Sequence, residues 1–242
     1  MLIHCNLATL LLVLTLDRHT ITGGHEAVPH SRPYVVLLER YMSSGKIKYC
    51  AGFLLNEDFV MTAAHCQAKY YTALLGVHSV HSRNQIHRIS MEQAFPHQHF
   101  NRTSYVNDVM LLKLSSKAKF NMNVRPIALA DRDHEFLPRS CVISGWGRPD
   151  RNSKYISPKL MEVSVTLVDN EACSMENFYC SQGETGPAEG DGGGPLVCED
   201  GKAYGVISSV AILHSGGPVI YRFSKIPDSR DKEHHLCIRP AN

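Results

Sequence analysis

The sequence has no apolar run long enough to cross a bilayer, no block of Lys or Arg, no long helical period, no internal repeat and no low-complexity segment. Each absence removes a class of function. A membrane-spanning helix needs about 20 apolar residues, and the stretch at residues 7–16 falls well short, so no membrane span is expected. With a formal net charge of +2 spread over 242 residues, nothing marks a surface for nucleic acid or anionic lipid. The Cys and His residues lack the four-ligand spacing of a structural metal site. The many histidines, including His97 and His99 around Gln98 on one face of an extended segment, do not make one without it. No cofactor and no metal are therefore expected.

What is present points outside the cytosol. The apolar stretch at residues 7–16 has the length of a secretory signal core, although no Lys or Arg precedes it and no small-x-small cleavage site follows before Asp17-Arg18. Residues 1–20 are read as a signal peptide and short propeptide, and the protein as secreted, either extracellular or held in a secretory granule. Apart from Cys5 in that leader, the cysteines are Cys50, Cys66, Cys141, Cys173, Cys180, Cys198 and Cys237. Six can pair and one is left over. An oxidising compartment agrees with the sequon Asn101-Arg102-Thr103, where Asn101 can carry a glycan if its loop is exposed.

After Ile21 the chain is a succession of short β-type runs at residues 34–38, 47–55, 59–62, 72–78, 109–114, 160–168, 203–210 and 218–223. Between them come Gly, Pro, Asn and Asp, the residues of turns. In residues 160–168, Glu162, Ser164 and Thr166 alternate with Val163, Val165 and Leu167, the period of a half-buried strand. Many short strands with turns between them predict an all-β barrel or sandwich, divisible into two halves near Arg125-Pro126. A chain of this length buries one sizeable core or two small ones in contact.

Three segments carry chemistry. Thr62-Ala63-Ala64-His65-Cys66 follows a strand and sets a histidine beside a cysteine; a fixed imidazole is what general-base work needs, though a histidine packed by a disulfide reads the same way. Asp108 opens the apolar strand Val109-Met110-Leu111-Leu112, where an Asp alone is more often a turn residue. Gly190-Asp191-Gly192-Gly193-Gly194-Pro195 is a glycine-rich loop running into a buried strand, and by itself only a flexible turn.

In this order, the three segments closely resemble the chymotrypsin/trypsin family of serine proteases. Ile21-Thr22-Gly23-Gly24-His25-Glu26-Ala27 and Cys141-Val142-Ile143-Ser144-Gly145-Trp146-Gly147 add to the resemblance, which covers about residues 21–224. The opening heptapeptide and the lack of a cysteine three residues before Gly190 are most similar to granzymes and mast-cell proteases. The resemblance implies an all-β fold of two packed antiparallel β-barrels, about 21–125 and 126–224, within a domain of 21–242, with the site in the crevice between them. It implies His65 and Asp108 as catalytic residues, the N–H groups of Gly190 and Gly192 as oxyanion hole, and an activation salt bridge from a freed Ile21 amino group to Asp191. It implies a specificity pocket of Gly186, Val210 and Val219, shallow and suited to small aliphatic side chains. The disulfides it implies are Cys50–Cys66, Cys141–Cys198 and Cys173–Cys180, with Cys237 left over, free to link two chains.

The pattern breaks at the nucleophile. The family's loop has serine at the third position, and here it is Gly192. The hydroxyl that attacks the carbonyl while histidine takes its proton is absent. Thr20 before Ile21 offers no basic residue to a trypsin-like activator. The segment 225–242 is polar and broken by Pro227, unlike the family's amphipathic C-terminal helix. The reading is a secreted, catalytically inactive protease homologue that acts by binding protein or peptide ligands, protease inhibitors among them. Its alternative is an active serine endopeptidase, if the natural residue at 192 is serine or weak hydrolysis survives on the oxyanion hole alone.

Overall fold

The period-two alternation at 160–168 and the apolar runs elsewhere become strands because each can turn one face to a core and one to solvent. The computed structural model describes residues 21, 23–82, 86–131, 138–149, 153–169, 171–212 and 218–227. The leader and Cys237, with the rest of 228–242, lie outside them. A two-residue strand, β1 (His25–Glu26), leads in. The first barrel follows: β2 (Val35–Tyr41), β3 (Ile47–Leu54), β4 (Phe59–Thr62), β5 (Tyr70–Leu75), β6 (His87–Pro96) and β7 (Met110–Leu114), closed in the order β2-β3-β4-β7-β6-β5.

The second barrel uses β8 (Ser140–Gly145), β9 (Met161–Val168), β10 (Phe178–Gln182), β11 (Pro195–Cys198), β12 (Ala203–Ile212) and β13 (Val219–Lys225). Its order is β9-β10-β13-β12-β11-β8, and β8 pairs back with β9 to close the ring. Neighbours in both rings are antiparallel. Among the described residues the single α-helix is Glu171–Met175, far too short to cross a membrane. The all-β, two-barrel expectation is met. The strand expected over 72–78 stops at Leu75, because Gly76 turns the chain with a φ of 74°. At the other end β13 runs through Lys225, with Ser224 and Ile226 buried, so the fold claims the first residues of the segment read as a polar tail.

Each barrel has its own core. Leu38, Phe53, Met61 and Leu112 fill the first, and Ile143, Leu196 and Phe223 the second. A third cluster bridges them, with Leu37 and Leu74 from the first barrel meeting Trp146 and Leu160 from the second. Disulfides join Cys50 to Cys66, Cys141 to Cys198 and Cys173 to Cys180, the pairs implied by the resemblance. The Cys141–Cys198 link spans 57 residues and ties the neighbouring strands β8 and β11 of the second ring at a directly paired position. Replacing both cysteines by alanine is expected to cost about 4 kcal/mol through the freed chain entropy of the unfolded state, read as a shift in urea midpoint.

Candidate active site in the crevice between the barrels

His65 lies in a 3-10 turn, Ala64–Cys66, at the end of β4, pinned by the disulfide from Cys66 to Cys50 on β3. Asp108 stands just before β7, the strand paired with β4, so the ladder brings the two together. The carboxylate is fully buried and the imidazole one-quarter exposed. His65 Nδ1 and Asp108 Oδ2 share a 2.7 Å hydrogen bond, and the His65 backbone N–H donates to Oδ1 at 2.7 Å. Held at both oxygens, the Asp fixes the position of the ring as well as its tautomer.

Two further residues complete this arrangement. Ser208, on β12 of the second barrel, donates its hydroxyl to Asp108 Oδ2 at 2.7 Å. The Tyr105 ring meets the imidazole edge-on at 5.7 Å. Neither was singled out in the sequence: Ser208 sits among ordinary strand residues, and the only local sign at Tyr105 is its neighbour Asp108. The sulfurs of Cys50 and Cys66 also approach His65, but as a disulfide they offer no thiolate to a metal. His97 is buried, and its Nδ1 accepts the His99 backbone N–H at 3.2 Å within a local turn.

The glycine-rich loop faces His65 from the second barrel. A Cβ built on Gly192 would lie 2.6 Å from His65 Nε2. The direction a side chain would take at 192 therefore ends on the nitrogen that Asp108 does not hold. The loop is bonded into both barrels: Ala51 N–H donates to Gly192 O at 2.9 Å and Gly193 N–H donates to Ile207 O at 2.8 Å. Asp191 and Gly194 spend their N–H groups on Ala188 O and Asp191 O. Gly190, with a φ of 110°, and Gly192 line the adjoining cavity.

That cavity has a volume of about 1230 Å³ and reaches from Ser208 and Val210 past His65 to the β2–β3 ribbon. Of the three expected pocket residues, the structure brings Val210 to it, half exposed. Gly186 and Val219 do not line it: an added Cβ on Gly186 would meet the Tyr221 ring at 2.4 Å, and Val219 packs half-buried against the second core. Asn101 is exposed in a turn, its Oδ1 accepting the N–H groups of Thr103 at 2.8 Å and Ser104 at 3.1 Å.

Ile21 and Asp191 are both fully buried. In this chain the Ile21 nitrogen is in a peptide bond with Thr20, so it carries no charge. Asp191 accepts N–H groups from Gly147 at 2.6 Å and Ala188 at 2.9 Å, yet burial outweighs both and pushes its carboxyl up to about 6. A carboxyl whose folded pKa stands above its unfolded value of 3.8 favours the folded state in its protonated form. The uncut chain is thus expected to lose about 3 kcal/mol from this group as pH rises from 4 through 6. Urea melts across pH 4 to 8 check this: Asp191→Asn should flatten that part of the profile, and equal slopes in both proteins would refute it.

The family model described as Trypsin matches residues 21–226. Granzyme E of Mus musculus is 38% identical over 214 residues, covering 84% of this chain and 86% of the relative. Granzyme B of Homo sapiens is 36% identical over 215 residues, again 84% and 86%. A solved structure described as "Structure of GrC" superposes with a TM-score of 0.72 at 32% identity, covering 83% of this chain and 93% of the other. With this match, two closed barrels and His65 held by Asp108 at their junction, the chain belongs to the trypsin family of serine proteases, with granzymes among its relatives.

Proposed function

We propose that this protein is a secreted member of the family that binds polypeptide in its crevice without cutting it. The observation that carries the reading is the placement of Gly192: it faces His65 Nε2 and has no side chain, and we take it to stand at the nucleophile's position. An imidazole held by a buried carboxylate has only water to activate there, and water is neither tethered nor aligned for attack. The N–H groups of Gly190 and Gly192 are proposed to donate to a carbonyl oxygen of a bound chain. The pocket beside them is proposed to be shallow, since the Tyr221 ring stands against Gly186 and Val210 is in the wall. Secretion, or storage in a granule, is supported by the three disulfides and by the granzyme relatives. Release of the Ile21 amino group is proposed to give Asp191 the cation that its buried carboxylate lacks in the uncut chain.

A serine-directed phosphonate tests the reading. Applied to the chain beginning at Ile21, it should leave the natural protein unlabelled and modify Gly192→Ser at that residue, as read by intact-mass spectrometry. Labelling of the natural chain with the same stoichiometry would overturn it.

A further inference from the structure

Arg40, on β2, lines the cavity with nine-tenths of its surface covered. Its guanidinium touches only neutral acceptors. One terminal nitrogen donates to Cys50 Sγ at 3.3 Å and the other to the carbonyls of His65 at 3.3 Å and Gln67 at 3.2 Å, while Nε has no partner. Burying a cation without a counter-charge is costly, and here burial pushes the guanidinium pKa down. The neighbouring acid is already engaged: Glu39 binds Arg88 and accepts the Tyr41 hydroxyl at 3.0 Å.

Directly across the β2–β3 ladder from Arg40 stands Lys48, exposed and lining the same cavity. Like charges opposite one another destabilise a sheet. Among the described residues no carboxylate forms an ion pair with either. Two cations thus face each other on one wall of a crevice that also contains His65 and Gly192, and an anion placed between them relieves both the burial and the repulsion.

We infer that Arg40 and Lys48 form an anion-recognition subsite that takes the side-chain carboxylate of a polypeptide bound in the crevice. A guanidinium covered on most sides admits one slim acidic group, unlike the rows of exposed cations that bind polyanionic chains. The inference rests on the proposed polypeptide-binding reading and adds to it the class of residue recognised.

The test uses fluorescein-labelled nonapeptide pools, mixed at every position except a central Glu, Gln or Lys, titrated against the chain beginning at Ile21. The Glu pool should bind about tenfold more tightly than the Gln pool, the effect of one charge-assisted contact, and the gap should narrow at high salt. Lys48→Glu, at an exposed position that folding tolerates, should abolish the gap and favour the Lys pool; Arg40→Gln should also close it. Equal binding of the Glu and Gln pools overturns the subsite while leaving the crevice a peptide site. No binding by any pool overturns both readings. Tighter binding of a heparin hexasaccharide than of the Glu pool, lost in Lys48→Glu, assigns the cations to a polysaccharide and overturns the inference.

Discussion

Gly192→Ser is expected to raise peptide hydrolysis by the chain beginning at Ile21 by about a millionfold, the factor lost when a serine nucleophile is removed from a comparable triad. The direction of a side chain at 192 is already right, and His65 is held at Nδ1 by Asp108 at 2.7 Å. One adjustment is required. At 2.6 Å from the new Cβ, Nε2 stands where no real Cβ contact is found, so the imidazole must retreat by several tenths of an ångström. The imidazole is one-quarter exposed, and its retreat is taken up at its contacts with Asp108 Oδ2, Cys66 Sγ and the edge of the Tyr105 ring. Gly192→Ala separates the two effects: it carries the same displacement of the ring without a nucleophile, and should be inactive. The hydrolysis must also vanish in the double variant Gly192→Ser with His65→Ala. Turnover by the natural chain at the rate of the serine variant would end the binding-only reading.

One residue along the loop, Gly193→Ala is expected to destabilise the protein by more than about 4 kcal/mol, a large share of the roughly 5–15 kcal/mol that holds an ordinary domain folded and enough to lower its melting temperature by many degrees. Two costs coincide. The φ of Gly193 is 88°, a conformation that an L side chain adopts only under strain. Its Cβ would also come within 2.1 Å of Thr62 Oγ1 and 2.3 Å of Ala51 O. Those two atoms are hydrogen-bonded to each other at 2.7 Å in the buried wall of the first barrel. Neither can move alone, and the loop cannot move away from them without breaking the bond from Gly193 to Ile207 in the second barrel. The methyl can be housed only by parting the barrels. A thermal melt of Gly193→Ala within a few degrees of the natural chain would show that the seam is softer than this packing implies.

The parts of the fold legible in the sequence are those with a clean period or a continuous apolar run. Strands β2, β3, β4, β7, β9, β12 and β13 all overlap the runs read from composition. The strand β6 was missed for a physical reason: ten residues with only Ile89 buried, and a register shift between Met91 and Gln93 that breaks the alternation. The strands β8 and β10 are short, and each carries a cysteine and serine that dilute the apolar signal. Around the crevice, the meeting of His65, Asp108 and Gly192 was legible because their flanking residues form a motif. The positions of Ser208, Tyr105 and Arg40 were not, because they depend on what the fold places opposite them: Ser208 is 100 residues from the carboxylate it binds.

The first described strand has a consequence for synthesis. β1 pairs with β9, His25 opposite Glu162 and Glu26 opposite Met161, while every strand between them in sequence, up to β7, builds the other barrel. Domains emerging from a ribosome fold from the amino end, so the first barrel can close while β1 still waits, unpaired, for a partner more than a hundred residues away. Contacts of such sequence separation are the slow ones to form. Of the described strands, the one translated first is thus among the last to find its place, and an edge left open in that interval is where a nascent chain of this fold is most exposed to a stray strand.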